Sequence, residues 1–183
     1  MKGIVFNILE EMVIEKCGMA AWNELLETAL PDEDGAFTAG KSYPDENLFA
    51  LVHAASAKLE TPAEQIISGF GEYMFGELAK RYPIFIEQAP DLKTFLLSVD
   101  QVIHTEVRKL YDDPNLPSFE YTQLDSGALL MEYRSPRKLC ILAEGLIRGA
   151  AHHYQTPITL SHPTCMHTGS DHCDLIVEFG DEQ

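Results

Sequence analysis

Three polar side chains recur at every second position in EYRSPRKLC, the stretch that covers residues 132–140. They are Tyr133, Ser135 and Arg137, and apolar runs lie on both sides of them. Side chains at alternate positions of a strand point to one face, so these three polar groups would converge on one point. All three donate hydrogen bonds, and a guanidinium grips carboxylates or phosphates in a fork. The spacing therefore predicts a site for an anion.

A histidine lies at the edge of the apolar stripe on the longest predicted helix, residues 91–111. His104 follows Ile103 and is on the same side as Val107. A single histidine beside a core face is usually a packed core residue, but a neutral imidazole facing an apolar cavity can also ligate a metal or haem iron. Haem carries two propionate carboxylates, so it is a ligand that would use both His104 and the anion site.

Three of the four cysteines fall in the C-terminal third of the chain, together with several histidines, whereas Cys17 stands alone. If strand 157–162 pairs with residues 172–179, three thiolates and one imidazole meet and form a closed tetrahedral zinc site. His167 or His172 could take the place of the histidine, and free thiols are the alternative to any metal. The candidate ligands are Cys140, His162, Cys165 and Cys173.

The spacing of apolar residues predicts which helices and strands position these groups, and that spacing changes along the chain. The first two-thirds has helical spacing, and the last third predicts two strands, a helix and two more strands. This segregation predicts an α+β fold, with a helical N-terminal part followed by a ββαββ part that forms an antiparallel sheet. The predicted helices cover residues 1–18, 19–30, 46–60, 61–83, 91–111 and 138–155, and the strands 119–124, 128–134, 158–162 and 173–179.

The charge balance narrows the classes of partner. The 183 residues hold 13 Lys and Arg against 29 Asp and Glu, a formal net charge of -16. Binding to nucleic acid or to an anionic membrane depends on basic surface, so neither is expected. No apolar run is long enough for a membrane span, and no signal peptide is visible. We therefore expect a cytoplasmic protein with reduced thiols.

Three stretches resemble the H-NOX family, the haem–nitric oxide/oxygen binding domains related to the sensor domain of soluble guanylate cyclase. They are MKGIVFNILEEMV at the start, VIHTEVRKLY around His104 and YRSPR at 133–137. The resemblance, to the bacterial stand-alone type, covers nearly the whole chain. It implies one domain over residues 1–183, with a distal helical subdomain (1–62), a proximal subdomain (63–183) and haem b buried between the helical part and the sheet part.

The resemblance also implies roles for single residues. His104 would be the proximal iron ligand, the Y-x-S-x-R side chains would hold the haem propionates, and Pro117 would press on the porphyrin. In this family nitric oxide weakens the iron–imidazole bond, the helix that carries the histidine moves, and the haem relaxes. A subset of proteobacterial members carries a Cys3His zinc site of the kind suggested above.

Oxygen-binding members of the family place a distal tyrosine at the position of Leu142. The other distal positions in this chain, also apolar, are Val5, Leu9, Met74 and Leu146. Bound dioxygen gains from a hydrogen bond because it becomes charged, whereas nitric oxide binds ferrous haem without one. The sequence therefore predicts a nitric oxide sensor that excludes dioxygen. Tyr73 adjoins Met74, and a shift of one residue would restore a donor.

The resemblance implies signalling by contact and no enzyme activity. Stand-alone bacterial members act on a histidine kinase or on a diguanylate cyclase/phosphodiesterase, and the sequence favours neither. The alternatives are a peroxidase-like haem enzyme, a zinc hydrolase, a redox-sensing zinc domain, and a zinc-stabilised domain without haem in which His104 is core. A catalytic zinc needs an open coordination position, and four protein ligands argue against one.

Overall fold

A computed structural model describes residues 1–111 and 115–180. A helical N-terminal region is followed by four strands, with one helix between the second strand and the third. The predicted α+β class is confirmed. The helices are α1 (Gly3–Cys17), α2 (Met19–Ala29), α3 (Asp45–Leu59), α4 (Ala63–Arg81), α5 (Pro83–Glu87), α6 (Leu92–Ser98), α7 (His104–Leu110) and α8 (Cys140–His153). The strands are β1 (Ser118–Gln123), β2 (Leu129–Arg134), β3 (Ile158–Thr164) and β4 (Cys173–Phe179).

The predicted helix over residues 91–111 is divided into three segments. Asp91 caps its start by accepting a hydrogen bond of 2.7 Å from the Thr94 amide, as short polar side chains do at helix N-termini. Between α6 and α7, residues Val99–Ile103 form a π-helical turn. Such a turn widens the helix by one residue, and it occurs often at functional sites. The apolar stripe continues through it, which is why the sequence predicted a single regular helix.

The four strands form one antiparallel sheet in the order β1-β2-β4-β3. In β2 every second side chain is buried, and the same holds in β4. Tyr133 of β2 lies opposite Cys173 of β4. Strand β3 lies at the edge, and its register with β4 shifts between Ser161 and Thr164.

Two apolar cores are present, and α4 and α8 contribute to both. Met74 of α4 and Leu142 of α8 belong to the core that α1–α3 enclose, whereas Phe75 of α4 and Ile147 of α8 belong to the core against the sheet. The predicted subdomain boundary at residue 62 therefore stays a prediction. Among the described residues, no helix is long and apolar enough to cross a membrane.

Glycines allow α4 and α8 to cross at backbone contact. A methyl group added at Gly71 would lie 2.6 Å from the Leu142 carbonyl oxygen, and one added at Gly145 would collide with the Ser68 carbonyl oxygen. Gly71 therefore serves this close approach, and α4 continues unbroken through it. Small side chains at such a crossing bring two helices together and fix how α8 lies between the cores.

We expect Gly145→Ala to lower the free energy of unfolding by about 1–3 kcal/mol, because the added methyl group forces two packed backbones apart. Urea denaturation measures the change. Gly69→Ala is the matched control, since Gly69 is exposed and a methyl group there meets nothing within 4 Å. The control should be neutral or stabilising by up to about 1 kcal/mol, as alanine is the better helix former. Equal stability of Gly145→Ala and wild type would contradict the crossing.

Candidate functional site

The predicted anion site is built from the end of a strand and the turn that follows it. Tyr133 lies in β2, but the strand ends at Arg134, so Ser135 and Arg137 belong to a turn. The prediction that all three share one face of a strand is therefore wrong. The start of the turn is nevertheless buried, with Tyr133 2% exposed and Ser135 3%. The Ser135 hydroxyl accepts a 3.2 Å hydrogen bond from the Arg137 amide.

The surroundings of the Tyr133 hydroxyl decide its protonation state and its hydrogen-bond partners. The Tyr133 hydroxyl accepts a 3.0 Å hydrogen bond from the Leu139 amide, and burial raises the pKa of Tyr133 to about 12. The phenol therefore stays neutral and keeps its proton to donate. Ser135 also hydrogen-bonds to Tyr133. The two hydroxyls thus lie beside each other at the end of β2.

The Arg137 guanidinium reaches from this turn to the N-terminal helices. Its Nε donates to the Asp45 carboxylate at 2.6 Å, and Nη1 donates to the Asn115 carbonyl at 2.5 Å. The amino group of Met1 also donates to Asp45, at 2.5 Å. Burial acts to raise the pKa of Asp45, but Arg137 and the N-terminal ammonium outweigh it and lower that pKa. Asp45 is therefore ionised. Its contact with the Arg137 guanidinium is an example of a carboxylate bound at this turn.

His104 begins α7, directly after the π-helical turn, and is 9% exposed. Its Nδ1 lies 3.3 Å from a carboxylate oxygen of Asp100, and an Arg108 nitrogen lies 3.6 Å from the same oxygen. Burial lowers the pKa of His104, although Asp100 opposes this effect. The imidazole is therefore neutral near pH 7. Since Asp100 takes Nδ1, Nε2 is the nitrogen suited to a metal.

Phe119 joins the histidine to the anion site, and sequence reasoning missed it. Its ring centroid lies 6.0 Å from that of His104 and 5.5 Å from that of Tyr133. Its position as the first inward residue of β1, opposite Tyr133 in the register, was the available signal. Pro117 is also here, because the backbone of Pro117 hydrogen-bonds to the His104 ring. The structure thus brings together His104, Pro117 and the anion site at Tyr133, all of which the sequence singled out.

The five predicted distal residues share one apolar environment. Leu9, Met74 and Leu142 are buried in the core that α1–α3 enclose, and the remaining two, Val5 and Leu146, pack against it.

The hydroxyl of Tyr73, the neighbour of Met74, does not point to the distal residues but to a carboxylate of α1. The Tyr73 hydroxyl donates to the Glu15 carboxylate at 2.9 Å, in an exposed hydrogen bond. Burial, together with this carboxylate, raises the pKa of Tyr73 to about 12. The hydroxyl therefore stays protonated and is committed to α1.

Four candidate metal ligands converge at the start of α8. The ligand atoms of Cys140, His162, Cys165 and Cys173 all lie within 4.8 Å of one another. We call these four residues the cysteine cluster. Cys140 and Cys173 are fully buried, and the Sγ atoms of Cys140 and Cys165 are 4.0 Å apart. Cys17 is exposed and lies outside the cluster.

The histidine of the cluster has the geometry of a ligand. His162 Nδ1 lies 2.7 Å from a Glu144 carboxylate oxygen, and its buried Nε2 has no partner among the described residues. By contrast, His167 Nε2 contacts the Lys138 carbonyl oxygen at 2.8 Å, and His172 Nδ1 contacts Asp171 at 2.6 Å. A carboxylate that orients the other ring nitrogen is typical of metal-bound histidines. The geometry therefore favours His162 over the two alternatives.

The sulfur atoms are also arranged for a cation. Backbone amides donate to them, from Met166 to Cys173 Sγ at 3.2 Å and from His167 to Cys165 Sγ at 3.4 Å. Burial raises the pKa of both Cys140 and Cys173, so these thiols are protonated unless a cation stabilises their thiolates. Three sulfurs and one imidazole are the donor set that zinc prefers. The residues therefore fit such an ion.

A family model described as Haem-NO-binding matches residues 2–162. The chain belongs to this family, the H-NOX family. Its members are haem-based gas-sensor domains. The resemblance drawn from the sequence is thus confirmed, and so is the fold class that it implies.

Solved H-NOX structures have the same fold over the whole chain. One, from S. oneidensis in the Fe(II)NO ligation state, is 43% identical, with a TM-score of 0.94 over 99% of this chain and 100% of that one. Another, from Shewanella woodyi in the Fe(II)CO state with IWP-051 bound, is 28% identical, with a TM-score of 0.86 over 98% and 95% of the two chains.

Curated relatives are more distant and much longer. Soluble guanylate cyclase gcy-32 of Caenorhabditis elegans is 25% identical over 168 residues, which is 82% of this chain and 23% of that protein. This H-NOX chain therefore spans about a quarter of the length of the cyclases that it matches.

If His104 ligates haem iron, Asp100→Asn should lower the iron–histidine stretching frequency in the ferrous protein. A neutral amide is a weaker acceptor for the Nδ1 proton than a carboxylate, so the imidazole becomes a poorer donor to iron. Resonance Raman spectroscopy measures the frequency. The control is Glu106→Gln in α7. The Glu106 carboxylate pairs with Lys109 and not with His104, so its removal should leave the stretching frequency unchanged. An unchanged frequency in Asp100→Asn would contradict a role for Asp100.

Proposed function

We propose that this H-NOX domain binds haem b through His104, senses nitric oxide and not dioxygen, and passes the signal to a separate protein by contact. The observation that carries the proposal is the junction at Phe119. A buried neutral imidazole and a turn that binds carboxylates lie on either side of this one ring. Haem needs both features, with a nitrogen ligand for iron and donors for its propionates.

The residues would divide the work of holding haem as follows. His104 would ligate iron through Nε2 while Asp100 holds Nδ1. Donors for the propionates would come from Tyr133, Ser135 and Arg137, of which Arg137 already binds the Asp45 carboxylate. Pro117 would contact the porphyrin beside His104. Haem would supply ferrous iron that binds gases, and the apolar distal residues would line the space for the gas.

The choice of gas follows from those distal residues. A hydrogen bond to a charged acceptor contributes about 1.5–3 kcal/mol, which is about one to two decades in affinity. Leu142, Met74 and Leu9 offer no such donor, and the Tyr73 hydroxyl is bonded to Glu15. Dioxygen would therefore lose this stabilisation, whereas nitric oxide does not depend on it.

The structure of the helix supports a switch that His104 controls. Between Val99 and Leu110, His104 is the only buried side chain. Val99–Ile103 is π-helical, and Val102 and Leu110 are 40% and 70% exposed. A segment with few buried contacts opens at low cost in free energy. His104 would therefore control the position of α7, whose other side chains are not buried. A gas that biases this position would drive a two-state change.

The receiver of the signal would be a histidine kinase or a diguanylate cyclase/phosphodiesterase in the cytoplasm. The net charge of -16 supports a protein partner and disfavours nucleic acid and anionic membranes. The domain itself would sense and would not catalyse. The enzyme alternatives are less well supported: all four ligands of the cysteine cluster lie close together, which leaves a bound cation no open position.

We further propose that the cysteine cluster holds one structural zinc ion. The orphaned Nε2 of His162, the carboxylate behind that ring and the amides that donate to sulfur support this role. Zinc would hold the start of α8 to the segment between β3 and β4. A redox-sensing use of the same thiolates is the second candidate, since thiolates are oxidised readily.

The gas assignment is tested on the full chain purified with haem. We expect a Soret band in the ferrous protein that shifts on addition of nitric oxide and shows no stable oxy form in air, because no distal donor is available. Visible absorption spectroscopy makes the measurement. A stable oxy spectrum would contradict the gas assignment, and a chain that stays colourless with ample haem would contradict haem binding.

Leu142→Tyr should create a measurable dioxygen affinity, on the order of ten to a hundred times that of wild type, because it adds the missing donor. Leu142→Phe is the matched control, since it adds the same ring without the hydroxyl. Dioxygen titration of the ferrous variants measures the effect. Equal affinities of the two variants would show that the hydroxyl does not reach the gas.

Metal analysis of the purified chain should find about one zinc per chain. Cys165→Ser should lose it, because three ligands hold zinc more weakly than four. His167→Ala is the control, as the His167 side chain contacts the Lys138 carbonyl oxygen and alanine keeps the backbone amide that donates to Cys165, so this variant should keep the metal. A zinc content below about half per chain in wild type, with all thiols free, would contradict the site.

A further inference from the structure

One short segment carries residues of both proposed sites. It runs from Tyr133 to Cys140 and links β2 to α8; we call it the 133–140 turn. Tyr133, Ser135 and Arg137 at its start are the proposed propionate donors, and Cys140 at its end belongs to the cysteine cluster. The two sites are therefore joined through only a few residues of backbone.

Hydrogen bonds within the 133–140 turn make it a rigid connection. The Leu139 amide donates to the Tyr133 hydroxyl at 3.0 Å, and the Lys138 amide donates to the Ser135 carbonyl at 3.1 Å. Lys138 has a φ of 51°, a left-handed conformation that non-glycine residues seldom adopt. Such a conformation persists only where the surroundings fix it. Movement of Cys140 would therefore move the residue that donates to Tyr133.

The 133–140 turn is also bonded to the segment that carries the other cysteines. The Lys138 carbonyl oxygen lies 2.8 Å from His167 Nε2, and the Lys138 ammonium lies 3.5 Å from the Met166 carbonyl oxygen. On the other side, Tyr133 lies directly opposite Cys173 in the β2–β4 register. Ordering of the cysteine cluster thus orders both ends of the turn.

We propose that the 133–140 turn couples the two sites, so that a divalent cation in the cysteine cluster raises the affinity for haem and haem raises the affinity for the cation. The inference rests on the proposed function. Its physical basis is that the rigid turn carries residues of both sites, so a group that fixes Cys140 also fixes the Leu139 amide and the Tyr133 hydroxyl that accepts from it. Coupling between two binding equilibria is reciprocal, and a factor on the order of ten is typical.

The first test compares haem retention with and without zinc. Haem-loaded full chain is divided, one half is treated with a chelator, and transfer of haem to apomyoglobin is followed by visible absorption. We expect transfer on the order of ten times faster without zinc, with the slow rate restored when Zn²⁺ is added back. Cys17→Ser, which alters a thiol outside the cluster, should respond as wild type does. Equal rates with and without zinc would overturn the coupling.

The second test uses a residue that is not a metal ligand. Tyr133→Phe removes the acceptor for the Leu139 amide, so it should weaken Zn²⁺ binding on the order of tenfold in competition with a chromophoric chelator. Because the full chain can be measured without haem, this readout does not depend on gas binding. Tyr154→Phe is the control, since its hydroxyl donates to the Ala89 carbonyl at 3.2 Å in the same core but away from the turn. An unchanged zinc affinity in Tyr133→Phe would overturn the inference.

The outcomes separate the inference from the function on which it rests. A chain that binds no haem contradicts the proposed function. A chain that binds both groups, each with the same affinity whether or not the other is present, contradicts only the coupling. If Tyr133→Phe does not fold, Ser135→Ala takes its place, because it removes the acceptor for the Arg137 amide inside the same turn.

Discussion

The burial of one neutral imidazole at the start of α7 is the constraint on which the site depends. Within α7, His104 is the only buried side chain, whereas Val99 and Ile103 of the π-helical turn pack partly against the sheet core. The ring in turn contacts Asp100, Phe119 and the backbone of Pro117. Helix α7 is therefore anchored in the interior by one buried side chain, and a change at that side chain can move it. A helix with an apolar stripe packed along its whole length could not be moved in this way, because many contacts would have to break together.

The rest of the molecule forms a close-packed frame around this segment. The α4–α8 crossing brings backbones into contact at Gly71 and Gly145, and each helix contributes side chains to both cores. Close-packed interiors transmit small displacements because they have no free volume to absorb them. Helix α8 therefore connects the apolar distal residues at Leu142 with the cysteine cluster at Cys140. The N-terminal helices are joined to the same frame by the ion pair between Arg137 and Asp45.

Much of the fold could be predicted from the sequence, because period and turn chemistry are local signals. The strands of the C-terminal part, the helices of the N-terminal part and the grouping of the cysteines all followed from them. The π-helical turn did not, since the apolar stripe runs through Val99 and Ile103 as it would in a regular helix. The end of β2 at Arg134 was also missed, because alternation of polar residues persists into the turn. Phe119 was overlooked, as only the pairing of β1 with β2 places it beside His104.

The edge strand β3 carries a register shift at residues 161–164, and this segment includes Pro163. A bulge and a proline leave the outer side of a strand without a regular row of donors and acceptors, so another extended chain cannot easily pair with it. The β3 edge of this sheet is therefore a poor template for pairing with another extended chain. His162 lies within this irregular stretch. The backbone distortion at the edge therefore also determines the position of one residue of the cysteine cluster.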